Sequence, residues 1–404
     1  MIPKTYRIKK CRLCGNKDLK KIFSYGNFFV SNFVTKNNIK NGVKAPLTLV
    51  NCSKCSLLQL EHTAPQEIMY KRFYWYQSGI TKTMRDGLKD IYLDTKSVIK
   101  LRKGDTVLDI GANDGTFLSY YKKDKIKTIG CEPAKNLQTK LNKNCDYTLN
   151  NFWSEHALNK ILKKNNLPKP KLITAIGMFY DLEDPLKFIK DAANSLDENG
   201  VFLAQLMCLD SMIKKNDLGN ICHEHLEFYT YKSLKYLFES NGLYIFKVEY
   251  NKINGGSYRI YCKKNLKKSI NYIENTKLAD IKKFIKRTVD NKNKTINFLK
   301  KEIKKDKKIF LYGASTKGNT LLQYYGIDNS LIKYAVERSP EKWGKYTIGT
   351  GIKIISEEKA RKLNPDYLFV MPYGFIKEFL KREKKWLKRG GKFLLPYPKF
   401  KIVS

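Results

Sequence analysis

The chain has 404 residues, 42% of them hydrophobic, which is enough for two or three domains with substantial cores. Its formal charge of +40 invites a polyanion, yet the lysines run along nearly the whole chain and form no single arm or stripe, so a solvated surface explains them better than a nucleic-acid groove. No run reaches the roughly eighteen apolar residues of a membrane span, Met1–Lys10 lacks an apolar core of leader length, and nine cysteines, an odd number, argue against a disulfide framework; a cytoplasmic protein is expected.

Cys11 and Cys14 form one C-x-x-C knuckle and Cys52 and Cys55 a second, separated by strand-like pieces around Phe28–Val34 and Leu47–Val50. Each knuckle can place two thiolates on one metal, and two knuckles complete a closed tetrahedral site of the structural kind. A ribbon this small has little core, so the metal would supply much of its folding energy. Tyr70, Phe73, Tyr74, Trp75 and Tyr76 follow, readable either as the wall of a ring-binding site or as a seam packing the ribbon on the next domain.

Lys82–Leu101 predicts an amphipathic helix leading into Thr106–Phe117, where Val107, Leu108 and Ile110 make a strand, Gly111 a turn, and a helical pattern starts after Gly115. A dinucleotide fingerprint would read G-x-G-x-x-G. Here Asp109 stands two residues before Gly111, with Asn113 and Asp114 ahead of Gly115. An acid at that strand end suits a ligand with a positive centre, as in S-adenosylmethionine. Glu132, followed by Pro133, lies about twenty residues further on after the next strand, Lys127–Gly130, where a carboxylate can accept from ribose hydroxyls. Strands at Leu172–Ile176, Val201–Met207, Leu243–Tyr250 and Ser257–Cys262, with a helix at Leu186–Leu196, predict a doubly wound sheet finished by an antiparallel pair.

Two of the four histidines fall in Asn220-Ile-Cys-His223-Glu224-His225. Methyl transfer needs an acceptor freed of its proton and aligned with the S–CH₃ bond, and a histidine beside a carboxylate is a suitable base. Which histidine faces the substrate stays open at this point. Lys263–Lys308 reads as one or more connecting helices. Ile309–Thr320 then repeats the strand-turn-helix pattern without being a P-loop, since the lysine precedes the second glycine. Its backbone amides and Lys317 can still meet a diphosphate at a helix N-terminus. Strands at Tyr334–Val336, Tyr367–Met371 and Lys392–Leu395 predict a second, smaller α/β domain.

With these pieces assembled, the chain resembles the sugar C-methyltransferases that act on nucleotide-linked 4-keto-deoxysugars. The resemblance covers nearly the whole length and rests on C-R-L-C and C-S-K-C, V-L-D-I-G-A-N-D-G, I-C-H-E-H-L-E-F-Y-T, N-G-G-S-Y-R, G-A-S-T-K-G-N-T-L-L and V-E-R-S-P-E-K-W-G-K-Y. It implies an α/β protein in which a class I methyltransferase Rossmann-like domain (79–262) is flanked by a zinc ribbon with its aromatic connector (1–78) and, after a helical connector (263–308), by a Rossmann-like nucleotide-sugar-binding domain (309–404). Zinc would sit on Cys11, Cys14, Cys52 and Cys55, and S-adenosylmethionine on Asp109, Gly111, Asn113, Asp114, Gly115, Glu132 and Pro133. His225 would be the base, with Glu224 and Tyr76 as its catalytic companions. The nucleotide-diphosphate sugar would meet His223, Gly255, Gly256, Ser257, Lys317, Gly318, Asn319, Glu337 and Arg338. A monomer or weak oligomer is expected.

Family members often carry tyrosine at the position of Cys222 and histidine where this chain has Tyr180-Asp181. That departure keeps O-methylation of a sugar hydroxyl open beside carbon methylation. A nucleic-acid methyltransferase and a non-catalytic module of glycan assembly rank below both.

Overall fold

The computed structural model describes residues 4–274 and 276–404. Met1–Pro3, the first residues of the segment read for a leader, lie outside the described residues. In the ribbon, β1 (Leu19–Phe29), β3 (Lys44–Cys52) and β4 (Leu58–Leu60) form an antiparallel meander, whereas β2 (Phe33–Val34) between them leaves for another sheet. The helix α1 (Lys82–Val98) starts where Thr81 Oγ1 accepts from the Met84 amide at 3.3 Å, and it buries Leu88, Ile91, Tyr92 and Thr95. It stops three residues short of the expected end because Ile99 turns extended.

The central sheet is built from β5 (Thr106–Ile110), β6 (Lys127–Cys131), β7 (Tyr147–Leu149), β8 (Leu172–Ile176) and β9 (Val201–Met207), all parallel. After β10 (Glu227–Phe228), the strands β11 (Tyr244–Asn251) and β12 (Ser257–Lys263) close it antiparallel, giving the order β11-β12-β9-β8-β5-β6-β7. The order reverses between β5 and β8, so a crevice opens at their carboxyl ends. Every residue of β5 and β9 is buried, as expected for strands covered on both faces.

The connector is one 26-residue helix, α2 (Leu278–Ile303), preceded by irregular chain. A second sheet follows: β13 (Ile309–Tyr312), then α3 (Thr316–Tyr325), β14 (Tyr334–Glu337), β15 (Tyr346–Thr347), β16 (Lys353–Ser356), β17 (Tyr367–Val370), β18 (Lys392–Leu395) and β19 (Lys401–Val403). Its order is β19-β18-β17-β13-β14-β16-β15-β2.

Two short strands stitch these units together. Phe33 and Val34 of the ribbon pair with Thr347 and Tyr346 at the edge of the C-terminal sheet. Glu227 and Phe228, just after the histidine motif, pair with Gln59 and Leu58 and so extend the ribbon's own sheet. One hydrophobic core correspondingly contains Leu49 and Leu60 from the ribbon, Leu218 and Leu226 from the middle segment, and Leu322 and Ile354 from the C-terminal one. At about 1.5–3 kcal/mol for each buried leucine, that shared core holds the three units in one arrangement. No helix among the described residues is long and apolar enough to cross a membrane.

Candidate active site

The turn after β5 is shaped by backbone that ordinary residues avoid. Gly111 has φ +78°, and a Cβ there would stand 2.7 Å from Met178 Cγ. Asn113 is itself left-handed at φ 53°, and its amide donates to Glu132 Oε2 at 3.0 Å while Ala134 N donates to Oε1 at 2.9 Å. Glu132 is therefore held rigidly by two amides and keeps lone pairs facing a cavity of about 340 Å³ that it shares with Pro133, Phe152, Trp153, Met178 and Leu182. Asp109 is buried at the end of β5, accepts from Thr174 Oγ1 at 2.6 Å, and has its carboxyl pushed up to about 7 by burial. A cationic ligand would bring it back toward ionisation. These residues fit S-adenosylmethionine: an acid for the ribose, apolar walls for the base, and a desolvated carboxylate on the side of the charged end.

Other residues of the motif serve the loop itself. Asp114 takes Gly79 N at 2.8 Å on one oxygen and Thr116 Oγ1 at 2.7 Å on the other, and Gly115 makes room for Asn144 and Leu141. Asn113 accepts from Ser78 N at 2.9 Å and donates to Tyr76 O at 3.1 Å. The aromatic connector is thus tied down across the turn, and its side chains divide. Tyr74 and Tyr76 face the cleft, whereas Trp75 donates to Asn32 Oδ1 at 2.9 Å and packs on Phe33 of the ribbon. It is wall and seam at once.

A second cavity of about 330 Å³ continues from the first past Tyr74, Tyr76, Gly111, Asn113 and Asp181 and reaches the C-terminal sheet at Ser315–Lys317 and Met371–Phe375. His225 stands in its wall. Its Nδ1 is 2.7 Å from the carbonyl oxygen of Asn220, an acceptor only, so Nδ1 carries the proton and donates. Nε2 is left as the basic nitrogen, with no hydrogen-bond partner among the described residues. Burial first, and the charge of Lys317 second, push the His225 pKa well below its ordinary value, so the ring is neutral at physiological pH. Tyr180 packs edge-on against it, ring centroids 4.5 Å apart.

His223 points the other way: its Nε2 donates to Ala45 O at 2.9 Å, inside the ribbon interface. Glu224 does line the cleft, while its backbone carbonyl accepts from the Tyr70 hydroxyl at 2.8 Å.

The substrate-side expectations sort unevenly. Gly255, Ser257 and Lys317 line the cleft. At Gly255 (φ +84°) a Cβ would meet Asp217 Oδ2 at 2.1 Å, and at Gly256 it would meet Ser211 Oγ at 2.0 Å. The close approach these glycines permit is by the protein's own side chains. Gly318 N is taken by the capping Ser315 Oγ at 3.0 Å, and Asn319 is buried against the ribbon, donating to Asn32 O at 3.4 Å. Glu337 sits at the end of β14 as Glu132 follows β6, but its oxygens already receive Ala314 N, Arg338 N, Ser339 N and the ammonium of Lys342. Arg338 reaches Glu378 at 3.3 Å, on the surface.

Sequence reasoning passed over Asp181 and Asp217 as site residues. Asp181 lines both cavities with Oδ1 buried and without a partner among the described residues, and burial with Glu224 nearby raises its pKa well above a normal carboxyl. Asp217, whose carboxyl burial pushes up to about 6, accepts from Tyr373 OH at 3.0 Å and from Asn220 Nδ2 at 3.2 Å. No local pattern marks either one: Asp217 follows Lys214-Lys215-Asn216 and Asp181 is followed closely by Glu183 and Asp184, so each reads as one more polar residue of a loop.

In the ribbon, packed against the central core, the four knuckle sulfurs lie within 4.8 Å of one another, with Cys11 Sγ 3.6 Å from Cys55 Sγ and Cys14 Sγ 3.4 Å from Cys52 Sγ. A tetrahedral zinc with Zn–S bonds of about 2.3 Å needs sulfurs about 3.8 Å apart, so the set fits a closed zinc site.

Comparison with known proteins gives the class of reaction. A family model described as a methyltransferase domain matches residues 76–248, and a C-methyltransferase C-terminal domain matches residues 252–398. The chain is an S-adenosylmethionine-dependent methyltransferase. A zinc binding domain model matches residues 11–70 of the same methyltransferase, which spans both cysteine knuckles. The C-methyltransferase NovU of Streptomyces niveus is 25% identical over 414 residues, covering 98% of this methyltransferase and 97% of NovU. Among solved structures, a magnesium protoporphyrin IX methyltransferase from Synechocystis PCC 6803 with bound SAM aligns at 9% identity and a TM-score of 0.32, covering 44% of this chain and 78% of that one. A S-adenosylmethionine-dependent methyltransferase from Clostridium acetobutylicum ATCC 824 aligns at 13% identity and a TM-score of 0.33, covering 44% and 91%. At those scores neither carries an argument.

Proposed function

We propose that the enzyme methylates carbon in a nucleotide-linked 4-keto-deoxysugar, with His225 as the base. The observation that carries this reading is the tautomer of His225: a neutral ring whose Nε2 is free in a cleft running from the cofactor pocket to the C-terminal sheet. Bound S-adenosylmethionine would supply an electrophilic methyl group. Glu132 and the Gly111 turn would hold its nucleoside, and Asp109 its positive end. His225 Nε2 would remove the proton from the carbon beside the ketone, and burial keeps it unprotonated for that task. Tyr76, Glu224, Asp181 and Ser257 line the space left for the sugar. The similarity to a C-methyltransferase supports a carbon acceptor, and the resemblance of the motifs to the sugar enzymes supports the keto sugar.

Mass spectrometry of nucleotide-linked keto and non-keto sugars, incubated with enzyme and S-adenosylmethionine in H₂O and in D₂O, tests the reading. Gain of one methyl on a keto sugar with deuterium entering at the neighbouring carbon is expected. Methylation of a hydroxyl without exchange would assign the enzyme to oxygen.

A further inference from the structure

We propose that Lys317 is a catalytic residue that pairs with the enolate oxygen, and not a ligand of the substrate diphosphate. This rests on the keto-sugar reading above. Lys317 belongs to the first turn of α3 in the C-terminal unit, yet its Nζ lies 3.2 Å from Asn220 Oδ1 and 3.9 Å from Met207 Sδ, at the carboxyl end of β9 in the methyltransferase sheet. Asn220 holds both partners of the reaction: its backbone carbonyl fixes His225 and its side-chain oxygen receives the ammonium. Base and cation are therefore set on one residue, one on each side of it.

The charge balance of the cleft points the same way. Its lining includes Asp109, Asp181, Asp217 and Glu224, and the basic residues among the lining are Lys317 and the exposed Lys252. A substrate oxygen that gains charge in this acidic, desolvated space needs a fixed cation, and Lys317 is the one already beside the base. A diphosphate at the start of α3 would instead draw on the helix amides, and Gly318 N is taken there by Ser315.

The step balances as follows. His225 Nε2 accepts the proton of the carbon beside the ketone, the C–H electron pair becomes the C=C bond, and the carbonyl π pair moves onto oxygen, where Lys317 pairs with it without giving up a proton. On methyl transfer the enolate pair would form the new C–C bond as the S–CH₃ bond breaks with its electron pair passing to the sulfonium sulfur, the carbonyl would return, and His225 would release its proton to solvent.

The test uses full-length, zinc-loaded wild type, Lys317→Met and Lys317→Arg. Two quantities are measured: deuterium exchange at the carbon beside the ketone in D₂O with S-adenosylhomocysteine bound, and the affinity for the nucleoside diphosphate by calorimetry. Lys317→Met is expected to slow exchange roughly 100-fold or more with nucleoside-diphosphate affinity held within about twofold, and Lys317→Arg to recover part of the exchange. Unchanged exchange in Lys317→Met with a tenfold loss of nucleoside-diphosphate affinity would overturn the proposal in favour of a phosphate role. Absence of exchange in wild type would remove the keto-sugar reading and this proposal with it, whereas wild-type exchange that survives in both variants removes the proposal alone.

Discussion

His225 donates its Nδ1 proton to the carbonyl oxygen of Asn220 across 2.7 Å, and that single bond decides which nitrogen can act as a base. A side chain that keeps this bond but offers no base at Nε2 should keep the fold and lose the chemistry. His225→Asn is predicted to lower kcat by at least about 10³-fold, with S-adenosylmethionine affinity by calorimetry unchanged. Turnover within tenfold of wild type would remove His225 from the mechanism.

The acid side of the pH profile follows from the same ring. His225 is flanked by Lys317, Asp181 and Glu224, and its pKa is depressed, by burial first and Lys317 second. The free base therefore persists below pH 6.5, the ordinary histidine value, so His225 itself should contribute no kcat/KM midpoint at that point and only one at lower pH, apart from the titration of Asp109 and Asp217 in the same cleft. Linkage gives the matching sign for stability: below pH 6.5 the unfolded chain binds a proton that the folded chain refuses, so this group's contribution is lost as pH falls from 6.5 toward the depressed value. A kcat/KM midpoint at or above 6.5 assigned to His225 by its loss in a variant would contradict this.

Glu132 joins the two halves of the cofactor loop through Asn113 N and Ala134 N. With the carboxylate so held, Glu132→Ala would also remove its two charge-assisted hydrogen bonds to the ribose hydroxyls, at about 1.5 kcal/mol each, and should weaken S-adenosylmethionine binding about 100-fold. Isothermal titration provides the check, and an unchanged Kd would show that the acid does not serve the cofactor.

Zinc removal should reach beyond the ribbon. The strand Glu227–Phe228, two residues after His225, hydrogen-bonds to Leu58–Gln59, and Leu60 N donates to Leu226 O at 2.9 Å. Cys52→Ser is expected to lose zinc by elemental analysis, lower Tm, and cut turnover more than it cuts cofactor affinity. Full turnover in zinc-free protein would contradict the coupling.

How far these features could be read from residues alone depended on how local their causes are. Val201–Met207 and Leu172–Ile176 appear at the positions expected, because buried parallel strands announce themselves as short apolar runs. The strand-like piece Phe28–Val34 divides between the end of Leu19–Phe29 and the separate strand Phe33–Val34, and nothing in two residues says that the latter completes the edge of a sheet built three hundred residues later. The resemblance set Gly255 and Gly256 against the sugar, and only the fold reveals that Asp217 and Ser211 are the groups a Cβ there would meet. Glu337 mimics Glu132 in sequence position, while the buried Lys342 that neutralises it comes from a turn whose path no periodicity encodes. Local pattern thus pointed to the Gly111 turn and to a pair of histidines, and long-range packing turned His223 into the ribbon interface and left His225 in the cleft.

Gly255 offers a check on that packing. With φ +84° and Asp217 Oδ2 2.1 Å from where a Cβ would sit, Gly255→Ala has to displace Asp217 and bear a strained backbone, so a stability loss of about 1–3 kcal/mol in chemical denaturation is predicted. A variant as stable as wild type would mean that the loop holding Asp217 is free to shift.

By the function proposed above, this methyltransferase forms a carbon nucleophile by proton abstraction at His225. Deuterium exchange at the carbon beside the ketone of a nucleotide-linked 4-keto-deoxysugar, followed by NMR with S-adenosylhomocysteine in place of the methyl donor, measures that step without the transfer. Exchange by wild type and none by His225→Asn is the predicted result. Exchange at equal rates in both proteins, or methylated product formed with no exchange in wild type, would contradict it.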